Sequence, residues 1–245
     1  MFSANPVIRR ASDRVDSGAI TFDGIIHRTG FLIVLAILGF AFSWQGLRGG
    51  IPGMTQGMIG GIALGGFIIG LILGLVISFT QICNPVVIGI YAVCQGLLLG
   101  AVSAVVEVRM PGIAFQTAAT TFGLFLLVLF LYKVRILRAT PIMTKIIIGG
   151  IIGVGVLYLV DAIGGLFGSS LSLIHGNGTG AILLSVAIVL LAAISFILDF
   201  AMAEQAVEDG VSEQYAWRIG FSLLVGLVWL YMEILRLLMK LRSRD

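Results

Sequence analysis

Long apolar blocks separated by short polar breaks run along almost the whole chain. Seven blocks stand out, at about 30–47, 57–79, 85–106, 113–132, 144–167, 180–203 and 218–240. Each is close to the ~20 residues that cross a ~30 Å hydrocarbon layer at about 1.5 Å per residue. The pattern predicts an all-α polytopic membrane protein: a polar tail over 1–29 and a seven-helix transmembrane domain over 30–245. The breaks carry helix-ending chemistry. Gly49-Gly50-Ile51-Pro52-Gly53 closes the first block, Asn84-Pro85 opens the third, Pro111-Gly112 precedes the fourth, Pro141 precedes the fifth, and Gly176-Asn177-Gly178 precedes the sixth.

Composition sharpens this reading. The 245 residues are 59% hydrophobic and only 11% charged, with a mean hydropathy of +1.12. A soluble surface needs about a quarter or more charged residues, so a soluble domain is excluded. No basic stripe is interleaved with aromatics, so nucleic-acid binding is not expected. The first block starts well behind Met1, and its Arg9-Arg10 pair has no apolar run directly after it, so a retained first helix is expected rather than a cleaved leader. Cys83 and Cys94 have neither metal-site nor disulfide-framework spacing and read as small apolar filler.

Charge placement sets the orientation. Arg9, Arg10, Arg14 and Arg28 of the tail, mixed with Asp13, Asp16 and Asp23, share a side with Lys133, Arg135, Arg138 and Lys145 between the fourth and fifth blocks. By the positive-inside rule that side is cytoplasmic, and it includes the N-terminus. Arg48 and Arg109 then fall outside. Seven crossings also put Lys240, Arg242 and Arg244 outside, against the rule; seven crossings are expected, with a re-entrant last block as the alternative. The acidic stretch Glu204 to Glu213 falls inside and reads as a solvated loop.

Gly57, Gly61 and Gly65, and again Gly66, Gly70 and Gly74, recur every four residues in the second block, with Gly149 and Gly153 repeating the spacing in the fifth. Such small-residue ladders let helices approach closely, so intramolecular packing is expected, with homodimerisation as the alternative. Trp44, Trp217 and Tyr132 lie at block ends, where interfacial anchors belong.

Three acids lie inside apolar blocks: Asp161, Asp199 and Glu233. Ionisable groups at membrane depth are costly, usually face a bundle interior or water-filled path, and are functional candidates. Asp161 follows Lys145, and Glu233 follows Arg218, by nearly equal intervals, roughly 20–25 Å at 1.5 Å per residue. They are therefore level, while Asp199, just ahead of Glu204, lies nearer the cytoplasm. Arg236 lies one turn beyond Glu233. Asp199, Asp161 and Arg236 are the three candidate partners of Glu233.

The closing Leu230-Tyr231-Met232-Glu233-Ile234-Leu235, the Leu198-Asp199-Phe200 step, and Ala114-Phe115-Gln116-Thr117-Ala118-Ala119-Thr120-Thr121-Phe122 together resemble the Bax inhibitor-1 family (YccA-like, transmembrane Bax-inhibitor-motif proteins) over nearly the whole chain. The resemblance implies a seven-helix bundle with the seventh helix central. It also implies a carboxylate pair, here Asp199 and Glu233, acting as a pH-sensitive gate for calcium leak. Two carboxylates ~4 Å apart repel by roughly 4 kcal/mol at an effective dielectric near 20 and so share a proton. Loss of that proton would drive the helices apart, and ionised carboxylates are hard oxygen ligands for calcium. No resident cofactor is expected; the implied partners are the lipid bilayer, calcium and protons. A bacterial plasma (inner) membrane is the expected location.

Three other classes compete. Embedded acids also suit a proton-coupled secondary transporter, although no internal repeat is evident. A regulatory protein that binds a membrane protease complex is the other non-enzymatic reading, and it adds a membrane-protein partner. An enzyme is not expected: His27 and His175 lie near block ends, no His-Glu-x-x-His spacing exists, and Gly168-Ser169-Ser170 has no evident base.

Overall fold

A computed structural model describes residues 18–53, 55–80, 82–167, 172–176 and 178–243. Arg9, Arg10, Asp13, Arg14 and Asp16 of the tail, the Gly168-Ser169-Ser170 cluster, Asn177 and Arg244 lie outside the described residues. Seven long helices follow one another: α1 (Phe22–Leu47), α2 (Gln56–Thr80), α3 (Pro85–Arg109), α4 (Ile113–Lys133), α5 (Pro141–Leu166), α6 (Thr179–Glu208) and α7 (Tyr215–Arg242). All seven are long and apolar enough to cross a membrane. A single helical turn, Ser172–His175, lies between α5 and α6.

Local chemistry explains the ends. Thr21 caps α1 by accepting from the Gly24 amide at 3.1 Å, and Asp23 sits favourably in the first, electropositive turn. Thr140 caps α5 by accepting from Met143, with Pro141 at the first helical position. Asn84 accepts from the Val86 amide at 2.9 Å ahead of α3. At the start of α4, Gly112 is left-handed at φ 83°, and both Glu107 carboxylate oxygens accept amides, from Gly112 at 2.6 Å and Ala114 at 3.1 Å.

Two helices outrun their apolar blocks by five residues or more. α1 starts at Phe22 rather than near 30, because Ile25, Thr29, Leu32 and Ala36 already bury one helical face while Asp23 and His27 point outward. α6 continues past 203 to Glu208, because Ala203 and Ala206 stay buried as Glu204 and Glu208 enter the sequence.

The chain divides into two compact units, 1–102 with 201–224 and 103–200 with 225–245. In the first, α1 and α3 meet almost backbone to backbone. A Cβ on Gly39 would stand 2.5 Å from the Val93 carbonyl, and Cβ atoms on Gly96 and Gly100 would collide with the Ala36 and Phe40 carbonyls. Gly66, Gly70 and Gly74 of α2 lie against Leu97, Cys94 and Tyr91 of α3, as the intramolecular reading of that ladder expects, whereas Gly61 and Gly65 have open space beside them. The acidic connection between α6 and α7 is more than a solvated loop. Its Ser212 bridges Ala19 in antiparallel fashion, and its Glu213 accepts from Arg28 at 2.6 Å. Arg28 in turn lies over the Trp217 ring at 5.6 Å.

In the second unit, rings from α4 and α6 form the core: Phe125 packs edge-on against Phe196 at 5.0 Å, and Tyr132 tilts against Phe200 at 5.5 Å. Gly226 of α7 lets Phe196 close in; a Cβ there would be 2.7 Å from the ring. The last span has 56% of its apolar window buried, the largest share of the seven, against 6% for α5.

Candidate functional site

Glu233 is set into a well-packed stretch of α7. Leu230, Ile234 and Leu235 are essentially sealed, and Glu233 itself is only 2% exposed. A carboxylate so placed must be met by donors. Three supply them. The Tyr158 hydroxyl of α5 donates at 2.7 Å, the Trp229 indole one turn back on α7 donates at 3.2 Å, and Arg236 one turn ahead reaches both carboxylate oxygens, at 3.0 and 3.2 Å. Arg236 also donates to the Tyr158 hydroxyl and lies over the Tyr158 ring at 4.9 Å. Tyrosine, glutamate and arginine thus close a triangle that ties α5 to α7.

Of the three candidate partners, Arg236 is the one seen on Glu233. Asp161 lies one turn beyond Tyr158 on α5. Its carboxylate, 14% exposed, faces the His175 ring at 2.8 Å. Asp199 is half-buried on α6. Two contacts fix how α6 and α7 run past each other: Lys240 reaches Ser185, and Gly226 meets Phe196. In that antiparallel register Asp199 falls two to three turns from Glu233 toward the α6–α7 connection, roughly 10–15 Å at 1.5 Å per residue. The two carboxyl groups therefore stand at different depths.

Residues that the sequence did not mark as site candidates complete the surroundings. Tyr231 shares a buried hydrogen bond of 2.7 Å with Ser103 of α3. The Lys240 ammonium, buried with its residue only 5% exposed, donates to Ser185 Oγ at 2.7 Å and the Ala181 carbonyl at 3.2 Å. Arg242 donates to the Pro111 carbonyl at 2.7 Å and the Gln116 side chain at 3.3 Å. Among the described residues no group of three or more His, Cys, Asp or Glu side chains could hold a metal ion. Cys94 is core filler beside Gly70; Cys83 is half-buried between α2 and α3, where burial pushes its thiol up and the nearby Arg218 charge pulls the other way.

Seven membrane-long helices with a carboxylate buried in the last define a helical integral membrane protein with an intramembrane polar site. The family is specific: residues 5–243 match the Bax inhibitor 1 like family, and the chain belongs to it. No curated protein and no solved structure matches the chain.

Proposed function

We propose that this Bax inhibitor 1 like protein is a pH-sensitive calcium leak pathway gated by the Glu233 carboxylate on α7, with Asp199 on α6 as a second carboxylate on the ion's route. The observation that carries the reading is the sealed Glu233 carboxylate, linked through Tyr158 and Arg236 to a neighbouring span. A charge buried at that depth is retained at a cost, and tying two helices by a titratable group makes their packing answer to protons.

The arrangement gives the gate a sign. With Glu233 ionised, the carboxylate holds both Arg236 and Tyr158, and α5 stays on α7. A proton on Glu233 removes the charge that balances Arg236, and the tie loosens. Calcium flux then rises as pH falls. A proton shared directly between Asp199 and Glu233 would give the opposite sign, because its loss would open the path. Asp199, set nearer the α6–α7 connection, serves as a separate oxygen ligand on the ion's route.

The test is calcium flux into dye-loaded proteoliposomes between pH 5 and 8. Wild type should leak faster at the acid end. Glu233→Gln should leak at a rate that no longer varies with pH, and Asp199→Asn should lower the rate while keeping the pH response. Flux that climbs toward alkaline pH and is flattened by Asp199→Asn would replace the latch with the shared-proton pair. Absence of flux from folded wild type would end the leak reading.

A further inference from the structure

We propose that Lys240 is a tethered cation that plugs the α7 end of the leak route and sets how poorly cations pass; this rests on the leak reading. The observation is where its ammonium sits. Ser185 Oγ at 2.7 Å and the Ala181 carbonyl at 3.2 Å are both hard oxygen acceptors, and Ser185 is itself only 2% exposed. A hydroxyl and a backbone carbonyl in a buried setting are the groups that replace water around a passing metal cation. Here the protein's own ammonium takes that position. Lysine near the end of a spanning helix normally snorkels to water along the lipid surface. Lys240 instead turns inward, against the first turns of α6, although Ser243 just beyond it is exposed.

Its place on the helix completes the argument. Glu233, Arg236 and Lys240 follow at intervals of three and four, so they form one stripe on α7. Arg236 is occupied by Glu233 and Tyr158. Among the described residues Lys240 has no carboxylate among its hydrogen-bond acceptors, and on the leak reading its charge faces any cation that passes Glu233 toward that end of the helix. In a partly desolvated setting, like charges a few ångströms apart repel far more strongly than in water. The stripe therefore reads as one negative station followed by a positive barrier. The barrier keeps the pathway a slow leak rather than an open cation pore.

The decisive experiment restores the charge chemically. Lys240→Cys is placed in a background with Cys83 and Cys94 replaced by Ala, reconstituted, and assayed for calcium and potassium flux. The cysteine protein should leak roughly tenfold faster than its Lys240 parent, the change expected when one such repulsion is removed. Aminoethyl methanethiosulfonate, which joins an ammonium to the thiol through a disulfide and releases methanesulfinate, should return the rate to the parent's. A neutral methyl thiosulfonate should not, which separates loss of charge from loss of packing. Lys240→Arg should stay at the parent rate. A Lys240→Cys protein that conducts like a conducting parent, or recovery with the neutral reagent, would overturn the plug and leave the leak reading standing. No flux from either the parent or Lys240→Cys would remove both.

Discussion

At the scale of single residues the balance around Glu233 is asymmetric. Glu233 is sealed, whereas Arg236 keeps 31% of its side chain exposed. Removing the arginine leaves a buried carboxylate with only Tyr158 and Trp229 to hold it. Removing the carboxylate leaves a cation on a long, part-exposed side chain that can snorkel toward the helix end. Breaking a buried pair by deleting one partner costs about 3–5 kcal/mol, because the remaining charge is uncompensated. Arg236→Gln should fall in that range, while Glu233→Gln, whose orphan is part-exposed and can snorkel, should cost about 1–2 kcal/mol. The double variant should cost less than the sum, since neither charge is then stranded. Reversible denaturation in detergent micelles measures all three. Equal losses for the two single variants would mean that Arg236 is as dependent on the pair as Glu233. Sequence made Glu233 and Arg236 visible because charges inside an apolar run are conspicuous. Tyr158 gave no such signal: a tyrosine on an apolar helix is ordinary, and only the packing of α5 on α7 brings its hydroxyl to the carboxylate. Lys240 gave no site signal either. In the sequence it counts only as one of three basic residues beyond the seventh crossing, and only the placement of α6 shows it turned inward.

At the scale of elements, glycine spacing was legible as a packing device, but its address was only half readable. The long ladder on α2 divides: one side lies on α3, while Gly61 and Gly65 meet nothing. The tightest contact in the first unit is elsewhere, between α1 and α3, where Gly96 and Gly100 stand four apart in the third block. That spacing was the available signal, and the longer α2 ladder overshadowed it. The open and closed positions should respond oppositely to one methyl group. Gly96→Ala or Gly100→Ala forces a Cβ into a carbonyl and should cost at least about 1–3 kcal/mol, the range for overpacking a tight interface. Gly61→Ala adds a methyl where there is room and removes a flexible residue from a helix, so it should be neutral or stabilising by up to ~1 kcal/mol. Thermal unfolding of the purified variants compares them directly. If Gly61→Ala melts as early as Gly96→Ala, the α2 face is covered by something in the folded assembly. The same limit explains the helix ends. Apolar composition located the middle of every span but stopped short at Phe22 and Glu208, where helix continues under a mixed surface because one face still buries Ile25 or Ala206.

For the whole molecule, the unresolved point in the sequence was the last span: seven crossings leave three basic residues on the side where the positive-inside rule places few. The geometry removes much of that conflict. α7 is an unbroken helix of 28 residues, about 42 Å at 1.5 Å per residue, enough to cross without re-entry. Its far end is fastened to the α3–α4 connection through Arg242, which donates to Pro111 and Gln116. Successive crossings put the α3–α4 connection opposite the α4–α5 connection, so the end of α7 is on the side opposite Lys133 as well. The rule counts charges that sit free in a loop near the membrane surface. Lys240 is buried against α6 and Arg242 is bonded to the protein, so neither acts as a free retention signal. The expected topology therefore has the α4–α5 connection cytoplasmic and the end of α7 outside. With Cys83 and Cys94 replaced by Ala, Ser243→Cys should react with a membrane-impermeant maleimide in intact cells. Lys133→Cys should react only after the membrane is opened. Labelling of both positions from the same side would contradict a seventh crossing, and labelling with the two sides exchanged would keep the seven spans but invert the molecule.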